Sequence, residues 1–197
     1  PAVWRRGAPG REALPLLLGE VVEAARPVNA DGTIVGGGAN GGGTHVPVRW
    51  TNVAGAWAIE QLDMRFGEVR GANATGDLTG YVMTPCEHGQ RAVCQRAIVW
   101  YTTGGSLEIG TLGGPDSFAF HINSTGEVVG VSIPARRRSI GNTAFFWSPD
   151  PLVGMVQLPV IGRSARATAL SDVRPDGTRL VVGDSRGEPV VWVVPNP

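Results

Sequence analysis

The sequence predicts an all-β protein, a small β-propeller of about four four-stranded blades that forms a single domain over residues 1–197. Two observations carry this prediction. Tryptophan recurs at the end of a short apolar run about every 47 residues, and a turn of the type Asn-x-x-Gly recurs once in most of these intervals. Short antiparallel strands joined by turns, repeated with a period of about 40 to 50 residues, are typical of propeller blades.

The tryptophan interval is the most regular feature of the chain. The residues concerned lie 46, 50, 47 and 45 residues apart, and they are Trp4, Trp50, Trp100, Trp147 and Trp192. Each ends an apolar run, as in VPVRW, AIVW and AFFW. We therefore expect these tryptophans to take the same place in the third strand of successive blades.

The turn that joins the first two strands of each unit begins at Asn29, Asn73 and Asn123, and a longer version runs through residues 172–177. Its last residue is glycine, which reaches the positive φ that a tight hairpin needs. The next strand carries another glycine, whose β-carbon we expect would collide with the backbone of a neighbouring strand. These glycines are Gly36, Gly80, Gly130 and Gly183, and each unit then closes on a leucine, at Leu16, Leu62, Leu112 and Leu158.

The third unit carries a family resemblance. It reads Ala119-Phe-His-Ile-Asn123, then Gly126-Glu-Val-Val-Gly130, then Ala144-Phe-Phe-Trp147. This pattern resembles the bacterial HAF-type extracellular repeat, and weaker copies extend over nearly the entire chain. The resemblance implies propeller-like blades and an extracellular or cell-envelope location, and it implies no catalytic residue.

The repeat divides the chain into four units and a fragment. Residues 1–19 are the third and fourth strands of a partial unit, and the blades follow at residues 20–63, 68–112, 117–158 and 166–197. The last of these lacks its fourth strand. We expect residues 13–17 to supply it, because closing the ring removes exposed sheet edges. The alternative is a larger ring with further blades before Pro1 or on another chain.

Charge and hydropathy exclude several classes of partner. The formal net charge is zero and all 17 positive charges are arginine. Phosphate binding depends on clustered positive charge, so we expect no nucleic-acid partner. No apolar run approaches the roughly 20 residues of a membrane span, so we expect no membrane insertion. No motif indicates a cofactor or a bound metal.

The two cysteines, Cys86 and Cys94, lie eight residues apart on a loop of the second unit. We predict that they form a disulfide, which would indicate an oxidising compartment. Two alternatives stay open at this point. The thiols are free, or they bind a metal together with His88, although a fourth ligand is not evident.

Two further loops have compositions found in anion sites. Residues 36–43 are rich in glycine but lack the Gly-Lys-Ser/Thr ending and the following helix of a phosphate loop, so we interpret them as a flexible strand connection. Arg136, Arg137 and Arg138 are adjacent on a loop of the third unit. They are either solvated or bind a carboxylate, a sulfate or an acidic glycan.

A propeller offers a ligand its central channel, which the first strand of each blade lines. We predict ligand contacts at polar residues of these strands, namely Arg26, Arg70, Asn123, Arg166 and Asp172. His121 is the candidate general base or ligand contact, because imidazole exchanges protons near neutral pH. The alternatives are a histidine hydrogen-bonded within its own strand, and an ion pair or solvated lining at Arg70 and Asp172.

Two functions therefore remain open. The first is a secreted or cell-envelope module that binds a small molecule, a glycan or a protein through its channel and loops. The second is a small propeller enzyme, a hydrolase, lyase or cyclase, with its site at His121. A channel lined by paired acids and His121, and not plugged by aromatic residues, would favour the enzyme. Phe118, Phe120 and Trp57 could form either such a plug or an apolar wall for a ligand.

Overall fold

The computed structural model describes residues 1–4, 10–17, 21–40, 45–86, 91–134 and 141–195, with the backbone alone at residues 21–23 and 40. These residues form seventeen β-strands and no helix, which confirms the all-β prediction. They accordingly contain no helix that could cross a membrane. Residues 41–43, His88 and the arginines 136 to 138 lie outside the described residues, so the predictions made on them stay predictions.

Every sheet is antiparallel and is built from strands consecutive in the chain. The N-terminal pair consists of β1 (Ala2–Trp4) and β2 (Arg11–Ala13). Sheet 1 contains β3 (Val21–Val28), β4 (Ile34–Asn40), β5 (His45–Val53) and β6 (Ala56–Gln61). Sheet 2 contains β7 (Gly67–Ala72), β8 (Leu78–Pro85), β9 (Val93–Trp100) and β10 (Ser106–Gly110).

The remaining two sheets follow the same order. Sheet 3 contains β11 (Asp116–Ile122), β12 (Val128–Ile133), β13 (Thr143–Trp147) and β14 (Met155–Gln157). Sheet 4 contains β15 (Ala165–Leu170), β16 (Arg179–Ser185) and β17 (Glu188–Val194). Apolar residues alternate along many of these strands, so each sheet has faces that must be covered by its neighbours.

The tryptophans take matching places in sheets 1 to 4. Each lies opposite a buried aliphatic residue of the second strand, in the pairs Trp50 and Val35, Trp100 and Leu78, Trp147 and Val128, and Trp192 and Val181. A glycine follows two residues after each of these aliphatic residues. The tryptophan, its aliphatic partner and the glycine therefore take the same register in each of the four sheets. The sheets present equivalent positions to their neighbours and pack through equivalent contacts.

Hydrophobic clusters form between consecutive sheets, and they constitute the core. Sheets 3 and 4 share the cluster that contains Val129, Phe146, Val181 and Trp192. Similar clusters join sheet 1 to sheet 2 and sheet 2 to sheet 3. The N-terminal pair is joined to sheet 1 by a cluster around Leu14 and Trp50. The order of the sheets in space is therefore their order along the chain.

Residues 13–17 do not complete sheet 4, contrary to the sequence-based expectation. β2 ends at Ala13 and pairs with β1, and sheet 4 contains three strands among the described residues. The indole Nε1 of Trp50 donates a hydrogen bond to the carbonyl of Pro15 at 2.8 Å. Trp192 makes the same bond to Pro159 at 2.7 Å. The N-terminal pair thus packs on sheet 1 as sheet 3 packs on sheet 4.

Two details of the repeat also differ from the prediction. Leu14, and not Leu16, matches Leu158. The N–H of Leu14 bonds to Pro1, next to β1, as the N–H of Leu158 bonds to Ala144 of β13, and both leucines are 4% exposed. Gly37, and not Gly36, is the glycine pressed against the first strand in sheet 1, where a β-carbon would overlap the carbonyl of Ala24. Residues 36–40 moreover lie in β4, so this part of the glycine-rich stretch is strand and not loop.

The predicted disulfide is present. Cys86 and Cys94 are bonded, with their Cα atoms 5.1 Å apart, across the connection between β8 and β9. Their thiols are therefore oxidised and do not form the thiolate pair that the metal alternative needs.

We predict that Gly130→Ala lowers the free energy of unfolding by about 1 to 3 kcal/mol or more, because overpacking a filled site has costs of this order. A β-carbon at Gly130 would overlap the carbonyl oxygen of Phe118 and lie 2.8 Å from the ring of Phe145. The measurement is urea unfolding. Gly10→Ala is the control, since nothing lies within 4 Å of a β-carbon there. Equal stability of the two variants would contradict the strand packing.

Candidate functional site

The ends of the first strands of sheets 1 to 4 meet at one cavity of about 290 Å³, which we call the turn cavity. Each sheet contributes the last residue of its first strand or the turn that follows. The lining consists of Val28, Ala30, Ala72, Asn73, Ala74, His121, Ile122, Asn123, Ser124, Leu170 and Asp172. Four sheets therefore converge on one space that is apolar at its wall and polar at the turns.

The turns are held by buried asparagines. The side-chain oxygen of Asn123 accepts a hydrogen bond from the N–H of Glu127 at 2.9 Å, and Asn73 accepts one from Asp77 at 2.8 Å. Both asparagines are less than 5% exposed. An asparagine that bonds its own turn fixes the loop without help from outside, which is why this residue recurs.

The same asparagines connect each sheet to the next. Nδ2 of Asn73 donates to the carbonyl of Asn123 at 3.1 Å. Nδ2 of Asn123 donates in turn to the carbonyl of Ser171 at 3.1 Å. The turns of sheets 2, 3 and 4 therefore form a continuous line of hydrogen bonds around the cavity.

His121 and Asp172 face each other across the cavity from sheets 3 and 4. Burial lowers the pKa of His121 below its usual value, and the negative charge of Asp172 opposes this effect. Nδ1 of His121 is buried and has no hydrogen-bond partner among the described residues. At neutral pH the imidazole is therefore neutral and able to accept a proton.

Asp172 is oriented by Ser124. Its Oδ1 accepts hydrogen bonds from the hydroxyl of Ser124 at 2.6 Å and from its N–H at 2.8 Å. These two bonds lower the pKa of Asp172, and the nearby His121 adds to the effect. The serine hydroxyl is thus directed at a carboxylate and not at the histidine.

Along the first strands, next to the turn cavity, lies a second group of residues, which we call the arginine–aromatic cluster. Its members are Arg26, Glu68, Arg70, Tyr81, Phe118, Phe120 and Arg166. The register of β7, β11 and β15 shifts at Arg70, Phe120 and Thr168, each three residues before the turn. Such bulges re-aim side chains, and here they bring residues of all four first strands together.

Glu68 lies between two guanidinium groups. Its carboxylate contacts Nε of Arg26 at 2.5 Å and NH2 of Arg70 at 3.3 Å. The side chain of Glu68 is 11% exposed, whereas that of Arg26 is 55% exposed. A nearly buried carboxylate needs such partners, so these contacts have a structural role.

Aromatic rings surround the other side of Arg70. Its guanidinium carbon lies 5.1 Å from the ring centre of Tyr81, 5.3 Å from that of Phe120 and 5.8 Å from that of Phe118. Arg166 lies 5.9 Å from the ring centre of Phe120 and pairs with Asp184 at 3.3 Å. Cation–π contacts at these distances hold both arginines in place.

The residues proposed from the sequence thus separate into two groups. His121, Asn123 and Asp172 line the turn cavity. Arg26, Arg70 and Arg166 belong to the arginine–aromatic cluster, and the described contacts of Arg70 are with Glu68 and the rings, not with Asp172. Trp57 is in neither group, because it lies in β6 and donates a hydrogen bond from Nε1 to Glu12 at 2.9 Å.

Sequence reasoning missed Ser124, Tyr81 and Asp184. Ser124 sits in the turn next to Asn123, and its bond to Asp172 crosses between sheets, which no local pattern shows. Tyr81 and Asp184 each follow the repeated glycine of the second strand by one residue. That position places them beside the first strand. The place of the repeated glycine in each second strand was therefore the sequence signal that could have indicated Tyr81 and Asp184.

A polar groove adjoins the turn cavity at Ser124. It has a volume of about 500 Å³ and lies between the turns of sheets 2 and 3, lined by Thr75, Asp77, Tyr101, Thr102, Thr103, Ser124, Thr125, Gly126 and Pro149. Burial raises the pKa of Tyr101. Its neutral phenol can both donate and accept hydrogen bonds, whereas the hydroxyls of Thr75, Thr102, Ser124 and Thr125 already donate to groups of the turns.

Among the residues whose positions are described, no group of three histidine, cysteine, aspartate or glutamate side chains lies close enough together to hold a metal ion.

Comparison with known proteins does not identify a family. No protein-family model matches the sequence. A search of curated proteins finds no significant relative.

We predict that His121 makes the stability of the protein depend on pH. Its pKa is lowered in the folded state, whereas the unfolded chain binds the proton near the ordinary value of about 6.5. The stability that neutral His121 contributes is present above this pH and is lost as the pH falls through the folded-state pKa. In urea unfolding between about pH 7.5 and 5, His121→Gln should therefore lose less stability than the wild type.

Asp172→Asn removes the charge that raises the pKa of His121, so a lower histidine pKa is expected by NMR titration.

His45→Gln is the control for the urea experiment, because His45 lies in β5, away from the turn cavity. Identical pH profiles for the wild type and His121→Gln would contradict the burial of the imidazole.

Proposed function

We propose that this chain is a propeller-type module that binds a small ligand in the turn cavity, with sheets 1 to 4 as consecutive blades around a channel. The observation that carries the proposal is the convergence of four first strands on one cavity. Ligand sites commonly form where several elements bring a few polar groups to an apolar wall.

The cavity favours a small neutral ligand. Its volume of about 290 Å³ lies at the lower end of the range for small-molecule sites. Val28, Ile122 and Leu170 provide apolar contact, while His121 and Asp172 provide hydrogen-bonding groups at one side. A sugar unit or a similar polyol suits this lining, and the hydroxyl-rich groove next to it would extend the site for a longer glycan.

Binding is favoured over catalysis by the contents of the channel. The arginine–aromatic cluster contains Phe118 and Phe120, and its charges are paired, Arg26 and Arg70 with Glu68 and Arg166 with Asp184. An enzyme site at His121 is the second candidate, supported by the neutral imidazole beside Asp172. A nucleophile activated by the histidine would be needed, and the Ser124 hydroxyl is instead bonded to Asp172.

An extracellular or cell-envelope location belongs to the same proposal. Disulfides persist in oxidising compartments and are rare in the cytosol, and Cys86 and Cys94 form one. The resemblance to HAF-type extracellular repeats supports the same location and the propeller arrangement.

A thermal-shift screen with sugars, organic acids and apolar metabolites tests the binding function. A ligand that binds the native state raises the melting temperature, by a few degrees at concentrations of about 100 times Kd. We expect Ala74→Phe to abolish the shift, because Ala74 is exposed at the rim of the cavity and a larger side chain would fill it.

Ala58→Phe is the matched control, since Ala58 is also exposed but lies on β6. His121→Ala should weaken the shift while leaving the unliganded protein folded. A ligand whose shift survives Ala74→Phe would place binding elsewhere, and turnover of a bound ligand that is lost in His121→Ala would favour the enzyme.

A further inference from the structure

A second cavity lies between sheets 1 and 2, and it shares no described lining residue with the turn cavity. It has a volume of about 170 Å³, and we call it the indole cavity. Sheet 1 contributes Arg49, Glu60 and Leu62 to its wall, and sheet 2 contributes Trp100 and Ser106. Glu60 and Ser106 are exposed whereas Trp100 is buried, so the cavity extends from the surface toward the core. One water occupies about 30 Å³ in the liquid, so this space has room for a small organic group.

The indole N–H of Trp100 is buried without an acceptor. Trp100 is 1% exposed, and its Nε1 makes no hydrogen bond within the described part of the chain. In sheets 1 and 4 the matching Trp50 and Trp192 donate to the carbonyl of the proline that follows the closing leucine. The matching carbonyl for Trp100 is that of Asp63, which instead accepts from Nε2 of Gln61 at 2.8 Å. A buried donor without an acceptor is costly, so the position favours an acceptor supplied from outside.

Arg49 brings further donors to the same cavity. It lies in β5, one residue before the repeated tryptophan, where sheets 2 and 3 have the buried apolar residues Val99 and Phe146. Arg49 is 9% exposed, and its described hydrogen bonds run from Nε to Glu60 at 2.6 Å and from NH1 to the carbonyl of Tyr101 at 3.4 Å. A guanidinium has five N–H groups, so most of these donors have no acceptor among the described residues.

The charges and donors of the indole cavity favour a neutral ligand with a carbonyl oxygen. Arg49 and Glu60 form an ion pair, so their formal charges cancel. The N–H groups of Trp100 and Arg49 need an acceptor, while the carboxylate of Glu60 can accept from a donor. A secondary amide carries both an acceptor and a donor, and its carbonyl resembles the main-chain carbonyls to which Trp50 and Trp192 donate.

We propose that the indole cavity binds the secondary amide group of a small ligand. The carbonyl oxygen accepts hydrogen bonds from Trp100 and Arg49, the N–H donates to Glu60, and the carbon next to the carbonyl packs on Leu62. Two kinds of molecule carry such a group, an N-acetylated sugar and a short peptide. The site is separate from the turn cavity, so the proposal does not rest on the ligand proposed there, and the two can fail separately.

The test is an NMR titration of the ¹⁵N-labelled protein, followed at the indole N–H signals of its six tryptophans. The probes are N-acetylglucosamine and N-acetylglycine methylamide, with glucose and acetate as matched compounds that lack the amide. At least one amide should move the Trp100 signal downfield in a saturable way, with a Kd on the order of 1 mM for a ligand of this size. The amide with the lower Kd identifies the source as sugar or peptide.

Two variants locate the binding. Arg49→Met should raise the Kd about tenfold or more, because a hydrogen bond from a charged donor is lost, and it places an apolar side chain where sheets 2 and 3 have one. Ser106→Phe should abolish the shift, because Ser106 lies at the exposed end of the cavity and a larger side chain would fill it. Leu107→Phe is the matched control, since Leu107 is also exposed but lies on the opposite face of β10.

Three results would overturn the proposal. The first is the absence of a saturable shift of the Trp100 signal with both amides. The second is a shift with acetate and none with the amides, because the ligand would then be an anion. The third is a Trp100 shift that survives both Arg49→Met and Ser106→Phe, because the amide would then bind elsewhere.

Discussion

The buried asparagines in the turns of sheets 2 and 3, Asn73 and Asn123, make the interactions on which the arrangement of these sheets depends. The oxygen of each closes the turn after the first strand, and the nitrogen reaches the backbone of the next sheet. One side chain therefore fixes a local hairpin and a contact between residues about fifty positions apart. Because the same bonds join sheet 2 to sheet 3 and sheet 3 to sheet 4, the ends of these first strands are held close together at the turn cavity.

A buried ion pair strengthens the junction between sheets 3 and 4. Arg179 bonds to Glu127 through Nε at 2.9 Å and NH2 at 2.6 Å, and both side chains are at most 7% exposed. Glu127 also accepts a hydrogen bond from Asn123 at 2.7 Å. Removing one member of such a network leaves a buried charge without its partner, so the turn, the ion pair and the cavity wall are coupled. His121 and Asp172 lie beside this junction, so their positions depend on its geometry.

Much of this architecture could be predicted from local signals. The tryptophans, the turn glycines and the cysteine pair indicated the strands, the hairpins and the disulfide, because each depends on residues near one another in the chain. The errors came from small shifts in register and from packing between sheets. The turn of sheet 1 has one extra residue, since Asn29 pairs with Ile34 whereas Asn123 pairs with Glu127, and this moves the close contact from Gly36 to Gly37. Residues 13–17 stay beside sheet 1, where Trp50 bonds to Pro15. The sequence carries no local signal for the separation of Arg26, Arg70 and Arg166 from His121, because this separation depends on bulges and on packing between sheets.

The claim that asparagine side chains fasten one sheet to the next is tested most directly by comparing Asn123→Ala with Asn29→Ala. Asn29 bonds within its own turn, through Thr33 and Ile34, whereas Asn123 also donates to Ser171 of the next sheet. The free energy of unfolding, measured in urea, should fall further for Asn123→Ala by about 1 kcal/mol, the usual net value of one hydrogen bond. Equal losses in the two variants would contradict the account, because the bond between sheets would then contribute nothing beyond the turn itself.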